Sequence, residues 1–141
     1  MEYSKALTFI RNRFLGMALF QKIFLQDIEA EKREAMKVVD ALILEFKELS
    51  ADNGAVFVLV VVPDKMQVQN KGNINMMEID HLKVFGPEHG IQTIVLLPYL
   101  RMPENMYRAY FKFDGHFSPE GHQLVGEVLA KELKERGILA G

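Results

Sequence analysis

A run of seven consecutive apolar residues, 56–62, constrains the fold of this chain more than any other feature. It is rich in β-branched side chains and lies between Gly54 and Pro63. Apolar residues at every position, instead of every second one, are typical of a strand that is buried on both faces of a parallel sheet. A second predicted strand, 92–97, contains the apolar run 94–97 and ends at Pro98. The two runs predict parallel strands and an α/β architecture.

Helical patterns surround these strands. Apolar residues recur at helical spacing in two segments before the strands: the first has a wide apolar face, and the second has one apolar stripe. A third segment, between the strands, is predicted to be a short helix. The last helix starts with a Ser cap followed by Pro. The four segments are 3–25, 27–49, 75–85 (ended by Gly86-Pro87) and 118–136. Together they predict a partial flavodoxin-like, three-layer fold with a parallel sheet of two strands, a right-handed crossover and about four helices.

Length and composition predict one globular domain over residues 1–141, with 49% hydrophobic and 26% charged residues. Two strands are few, because sheets usually have about four to six. We therefore expect either an upstream segment beyond this sequence or a homo-oligomer. Self-association would use the free sheet edge or the apolar helix in residues 1–26.

Charge and cysteine content exclude several classes of partner. A net charge of −2, with acids and bases interspersed, gives no electrostatic reason to expect nucleic acid or an anionic membrane. The apolar start is interrupted by charged residues, so no transmembrane segment or signal peptide is predicted, and the cytoplasm is the default location. The absence of cysteine excludes disulfides and thiolate metal sites. We expect no cofactor.

The segment Asp114-Gly115-His116 is the strongest candidate for chemistry. An imidazole exchanges protons near neutral pH when a carboxylate orients it, and Gly115 permits a tight turn between the two groups. Ser118 then caps the final helix. The alternative is an ordinary Asp-Gly turn before a capped helix, with an exposed histidine.

Ligand sites in open α/β sheets collect beyond the carboxyl ends of the strands. Lys65 and Arg101 follow the two strands, so we expect them to contact a negatively charged substrate there, with Tyr99 lining a pocket. The alternatives are that the two charges are simply solvated and that Tyr99 is a core residue. The sequence contains no cysteine, and none of the three serines lies in a strand-to-helix turn that would activate it as a nucleophile. A metal site at His116, with His122 and Asp114, matches no familiar ligand spacing, so no metal is expected and a metal-assisted hydrolase is the weakest alternative.

Residues 114–122 and the helix after them resemble the last conserved block of the SGNH (GDSL-type) hydrolases. Upstream, the Val-rich strand running into Pro63 and Lys65, and the strand ending in Leu97-Pro98-Tyr99-Leu100, are similar to the C-terminal half of such a domain. The resemblance implies that His116 is the general base and Asp114 its partner in a Ser-His-Asp triad. The family usually places two residues between them and this chain has one, so Asp114 either orients the imidazole or shapes the turn.

The Gly-Asp-Ser block that supplies the family's nucleophile, and the Gly and Asn blocks of its oxyanion hole, have no match in this sequence. The resemblance thus implies the C-terminal part of an ester hydrolase that is inactive alone. Its parent would act on an O-acyl or O-acetyl ester of a carbohydrate or lipid. The main alternative is a non-catalytic α/β module that binds a partner or self-associates.

Overall fold

The computed structural model describes residues 30–69 and 74–139. The chain divides into two compact units, residues 1–43 and 44–141. Helix α1 is described from residue 30 to residue 52. The helix predicted for 3–25, and the packing or self-association role predicted for residues 1–26, lie outside the described residues.

In the first unit, the described residues 30–43 are helical. An exposed ion pair of 2.7 Å joins Lys37 to Glu34 one turn away, and such a pair stabilises a helix by only about 0.2–0.5 kcal/mol. Of the predicted apolar stripe, Val38 and Leu42 are exposed, whereas the neighbouring Ile43 is buried.

The second unit contains a two-stranded parallel sheet. The elements after α1 are β1 (Val58–Val61), α2 (Lys65–Gln69), α3 (Met77–Glu88), β2 (Gln92–Val95), α4 (Leu97–Leu100) and α5 (Pro119–Glu135). Val58 pairs with Gln92 and Val61 with Val95. The predicted partial α/β fold is confirmed, with two parallel strands and five helices among the described residues. The sequence did not predict α2 and α4, because helices of five and four residues are too short to show a periodic pattern.

Helix α3 does not end at Gly86-Pro87, as the sequence predicted, but continues to Glu88. Gly86 is a packing residue: a Cβ atom at this position would lie 1.9 Å from Thr93 Oγ1 on β2. The chain reverses instead at Gly90, which has a φ of 65°. That left-handed conformation suits glycine because it has no Cβ.

The core of the second unit lies around β2, α4 and α5. Ile94, Leu96 and Leu100 are almost fully buried, and the apolar side of α5 packs against their cluster through Leu124 and Val128, among others. The cluster also includes Met106, Ala109 and Tyr110. The core therefore extends into the segment between α4 and α5, which carries Asp114 and His116.

Candidate functional site

The predicted catalytic residues lie at the tip of a loop, residues 111–116, whose two ends are joined. Tyr110 and Phe117 form an antiparallel bridge, and their rings lie 4.7 Å apart. Just inside the bridge, Phe111 N–H donates to the carbonyl of His116 at 3.0 Å. The base of the loop is thus held by both backbone and ring contacts.

Helix α5 starts where the sequence predicted. Ser118 is its N-cap and accepts a 3.0 Å hydrogen bond from Gly121 N–H. The Ser118 hydroxyl also donates to the carbonyl of Arg108, and its backbone N–H donates to Ala109 at 3.0 Å. These bonds connect the start of α5 to the chain that precedes the loop.

Tyr110 connects the loop to the carboxyl end of β1. Its hydroxyl donates a 2.5 Å hydrogen bond to the carbonyl of Pro63, and its side chain is buried. Burial, with a smaller contribution from the Asp64 carboxylate, raises the pKa of Tyr110 to about 12. The loops after β1 and before α5 therefore meet at a hydrogen bond that water does not reach freely.

Replacing Tyr110 by phenylalanine should lower the free energy of unfolding by about 1–3 kcal/mol, because the Pro63 carbonyl loses its buried partner. The pKa of Tyr110 is higher in the folded state, about 12, than its ordinary 10.0. The stability that Tyr110 contributes should thus be constant below pH 10 and should be lost as the pH rises towards 12. Urea unfolding at pH 8 and pH 11 measures both effects. The contribution of Tyr110 is contradicted if the variant loses as much stability between these pH values as the native chain.

Asp114 contacts His116 twice through one carboxylate oxygen. Oδ1 accepts a 2.8 Å hydrogen bond from the backbone N–H of His116 and also contacts Nδ1 of its ring. These two hydrogen bonds hold the pKa of Asp114 below its usual range, and the bond from the backbone N–H of His116 has a larger effect than the bond from the ring. An ionised carboxylate accepts hydrogen bonds only, so the neutral imidazole carries its proton on Nδ1. Asp114 both shapes the turn and contacts the ring, although a single residue separates the pair.

The other ring nitrogen of His116 faces outward. The side chain is 85% exposed, and Nε2 has no hydrogen-bond partner among residues 30–69 and 74–139. Nε2 therefore keeps a lone pair that is accessible to a group from outside the chain.

An open groove of about 380 Å³ lies beside Asp114. Its lining residues are Asp64, Lys65, Met66, Lys112, Phe113, Asp114 and Gly115, and His116 is not among them. The loop after β1 and the loop before α5 thus line one groove. The ring of Phe113 is largely exposed there, with Lys112 Nζ 5.1 Å from its centroid.

The three residues predicted to bind substrate have different surroundings. Lys65 lines the groove, but its ammonium group donates to backbone carbonyls of the loop. The Tyr99 hydroxyl donates to the Glu132 carboxylate on α5, which raises the pKa of Tyr99. Arg101 donates to the carbonyl of Gln67 at 3.0 and 2.7 Å. Tyr99 and Arg101 do not line the groove, and their role in substrate binding stays a prediction.

The described serines hold local structure. Ser50 donates from its hydroxyl to the carbonyl of Phe46 at 2.7 Å within α1, and Ser118 is the cap of α5. Ser4 lies outside the described residues.

His122 packs edge-on against Phe117 at 5.6 Å. Within the described part of the chain, no group of three or more His, Cys, Asp or Glu is arranged to hold a metal ion.

A reciprocal cap at the start of α2 was missed from the sequence. Asp64 N–H donates to Gln67 Oε1 at 2.9 Å, and Gln67 N–H donates to Asp64 Oδ1 at 2.7 Å. The spacing Asp-x-x-Gln is a recognisable signal for this capping arrangement. It begins the helix at Lys65 and so places this lysine beside the loop that carries His116.

No helix in the described ranges is long and apolar enough to cross a membrane. Comparison with family models, with curated proteins and with solved structures found no match.

Proposed function

We propose that Asp114 and His116 are the orienting carboxylate and the general base of an SGNH-type ester hydrolase. The contact of Asp114 with Nδ1 of His116 carries the proposal, because it leaves Nε2 on an exposed side chain and because Asp114 itself lines a groove. An ordinary exposed turn needs the backbone hydrogen bond to Asp114 but not the contact with the ring. The substrate class, by resemblance, is an O-acyl or O-acetyl ester of a carbohydrate or lipid.

The arrangement supports one half of a serine hydrolase reaction. Nε2 of His116 takes the proton of a serine hydroxyl as the serine oxygen attacks the ester carbonyl, and the Asp114 carboxylate stabilises the imidazolium that forms. The imidazolium then returns the proton to the departing alcohol, leaving an acyl-serine. Water, deprotonated by the same nitrogen, releases the acid and restores the serine. In this proposal the serine and the donors of the oxyanion hole lie on a segment or partner outside the present sequence.

Hydrolysis of p-nitrophenyl acetate tests this proposal. The 141-residue chain should be no faster than free imidazole at equal concentration, since Ser50 and Ser118 are bound in local structure. The product of the full reading frame should be an esterase that a fluorophosphonate labels at serine. Turnover by the chain alone that is lost in His116→Ala would overturn the external serine, and a full-length product without esterase activity would overturn the hydrolase.

Exposed apolar side chains favour the alternative, a module that associates with a second copy of itself. In the second unit, Phe46 and Leu49 on α1 are 56% and 57% exposed. If they form a contact between copies, Phe46→Glu should shift the chain towards monomer in sedimentation velocity, because a charge cannot be buried there without a partner. Val84→Glu, at a 53% exposed apolar position on α3, is the matched control. An unchanged sedimentation coefficient for Phe46→Glu would remove this alternative.

A further inference from the structure

The ammonium group of Lys65 forms all of its hydrogen bonds with the loop that carries His116. Its ammonium group donates to the carbonyl oxygens of Phe111 at 2.8 Å, Lys112 at 2.7 Å and Asp114 at 3.3 Å. A lysine ammonium has three N–H donors and no acceptor. Three carbonyls therefore use all three donors, which leaves none for a substrate.

The tip of the loop has little other support. A Cβ atom added at Gly115 would meet nothing within 4 Å, and the side chains of Phe113 and His116 are exposed. The ring contact and the backbone bridge, by comparison, hold the base at Tyr110 and Phe117. Order at the tip must therefore come from polar contacts. Lys65 supplies two of them, at Lys112 and Asp114, from a different part of the chain, and a third at Phe111 nearer the base.

We infer that Lys65 is a positioning residue for the Asp114–His116 pair. It fixes the carbonyl of Asp114 and two carbonyls before it, so that Oδ1 of Asp114 stays within reach of Nδ1 of the imidazole. Lys65 is the first residue of α2, the element that follows β1. Its contacts therefore hold the loop, and with it the imidazole, at a fixed position relative to the sheet. This inference rests on the proposed function only in calling the imidazole catalytic; the contacts themselves do not depend on it.

The tautomer of His116 tests the inference without any activity measurement. In the chain labelled with ¹⁵N at histidine, the neutral form of the native imidazole should carry its proton mainly on Nδ1. Lys65→Met should lower the ratio of the Nδ1–H to the Nε2–H form at least about threefold, because the freed tip loses its contact with Asp114 for part of the time. Nitrogen shifts and two-bond couplings in the histidine NMR spectrum report this ratio directly.

Lys112→Met is the matched control, since Lys112 lines the same groove but its ammonium lies over the ring of Phe113. It should leave the tautomer ratio unchanged. An equal change in both variants would show a general effect of charge, and no change in Lys65→Met would show that the loop holds its own shape; either result overturns the inference. If Lys65→Met does not fold, Lys65→Gln serves instead. Its amide has two N–H donors where the ammonium group has three, so it cannot replace all three contacts, and an unaltered ratio again overturns the positioning role.

Steady-state kinetics separate positioning from substrate binding in the complete hydrolase. Lys65→Met should lower kcat about tenfold with little change in KM, whereas a residue that binds the substrate would mainly raise KM. If the tautomer ratio changes but His116→Ala leaves the esterase intact, the proposed function fails and the positioning inference stands. If the ratio does not change but His116→Ala abolishes activity, the opposite holds.

Discussion

His116→Ala should lower kcat of the proposed complete hydrolase by about four to six orders of magnitude, with a much smaller change in KM. Loss of the base leaves the serine hydroxyl without a proton acceptor, and removal of a member of such a triad costs a factor of this size. A factor of about 10,000 corresponds to roughly 5.5 kcal/mol of transition-state stabilisation at 25 °C. The measurement is the initial rate of p-nitrophenyl acetate hydrolysis over a range of substrate concentrations.

Two controls distinguish a catalytic from a structural effect of His116. The melting temperature should hardly change, because the side chain is 85% exposed and its ring contact is with Asp114 in the same loop. Asp114→Asn retains the shape of the residue but removes the charge, so kcat should also fall steeply while the fold remains. A large loss of stability with normal activity in His116→Ala would contradict the assignment.

The pH dependence of the same reaction reports the ionisation of the Asp114 carboxylate. The pKa of Asp114 is held below its usual range by its hydrogen bonds to His116. The carboxylate should therefore be ionised at neutral pH, and its contact with the ring should be lost only when the pH falls through that lowered pKa. An inflection of kcat/KM at neutral pH that disappears in Asp114→Asn would contradict the lowered pKa of Asp114.

Gly121→Ala should destabilise the second unit by about 1–3 kcal/mol, as expected for overpacking, although alanine is the better helix former. A Cβ atom at this position would lie 1.9 Å from the carbonyl oxygen of Ala109 and 2.8 Å from its carbon. Both are backbone atoms, so no side-chain rotation relieves the overlap and α5 must move away. Gly121→Val, which adds two further methyl groups, should have a larger effect.

Gly126→Ala in the same helix is the matched control. A Cβ atom there meets nothing within 4 Å, so the replacement should stabilise the chain by up to about 1 kcal/mol through helix propensity alone. The urea midpoints of the two variants should consequently move in opposite directions. If Gly121→Ala moved the midpoint upwards as Gly126→Ala does, the close approach of α5 to Ala109 would be wrong.

Local features of the sequence predicted local features of the structure. The cap at Ser118 and the start of α5 depend on residues within one helical turn, and the contact between Asp114 and His116 spans two positions. The apolar runs predicted the position of each strand but not the extent of its burial, because Val56 and Val62 at the two ends of the first run are exposed. Each strand is shorter than its run: pairing covers Val58–Val61 and Gln92–Val95.

The partners of the predicted substrate residues were beyond the reach of sequence patterns. Lys65 meets carbonyls 46 to 49 residues away, and Tyr99 and Arg101 find theirs 33 and 34 residues away. No local spacing encodes such contacts. Similarly, Gly86 and Pro87 looked like a helix end, but the close approach of β2 gives the glycine a different purpose.

The sequence by itself determined the α/β class, the parallel pair of strands, the capped last helix and the acid and imidazole that face each other across one glycine. These depend on periodicity, turn chemistry and short spacings, all of which are properties of neighbouring residues. Only the tertiary structure decided which lysine supports the loop and which tyrosine ties it to β1. It also showed that Ser50 and Ser118 form hydrogen bonds within local structure. Donors and acceptors that are far apart in the sequence can pair only when the core brings them together.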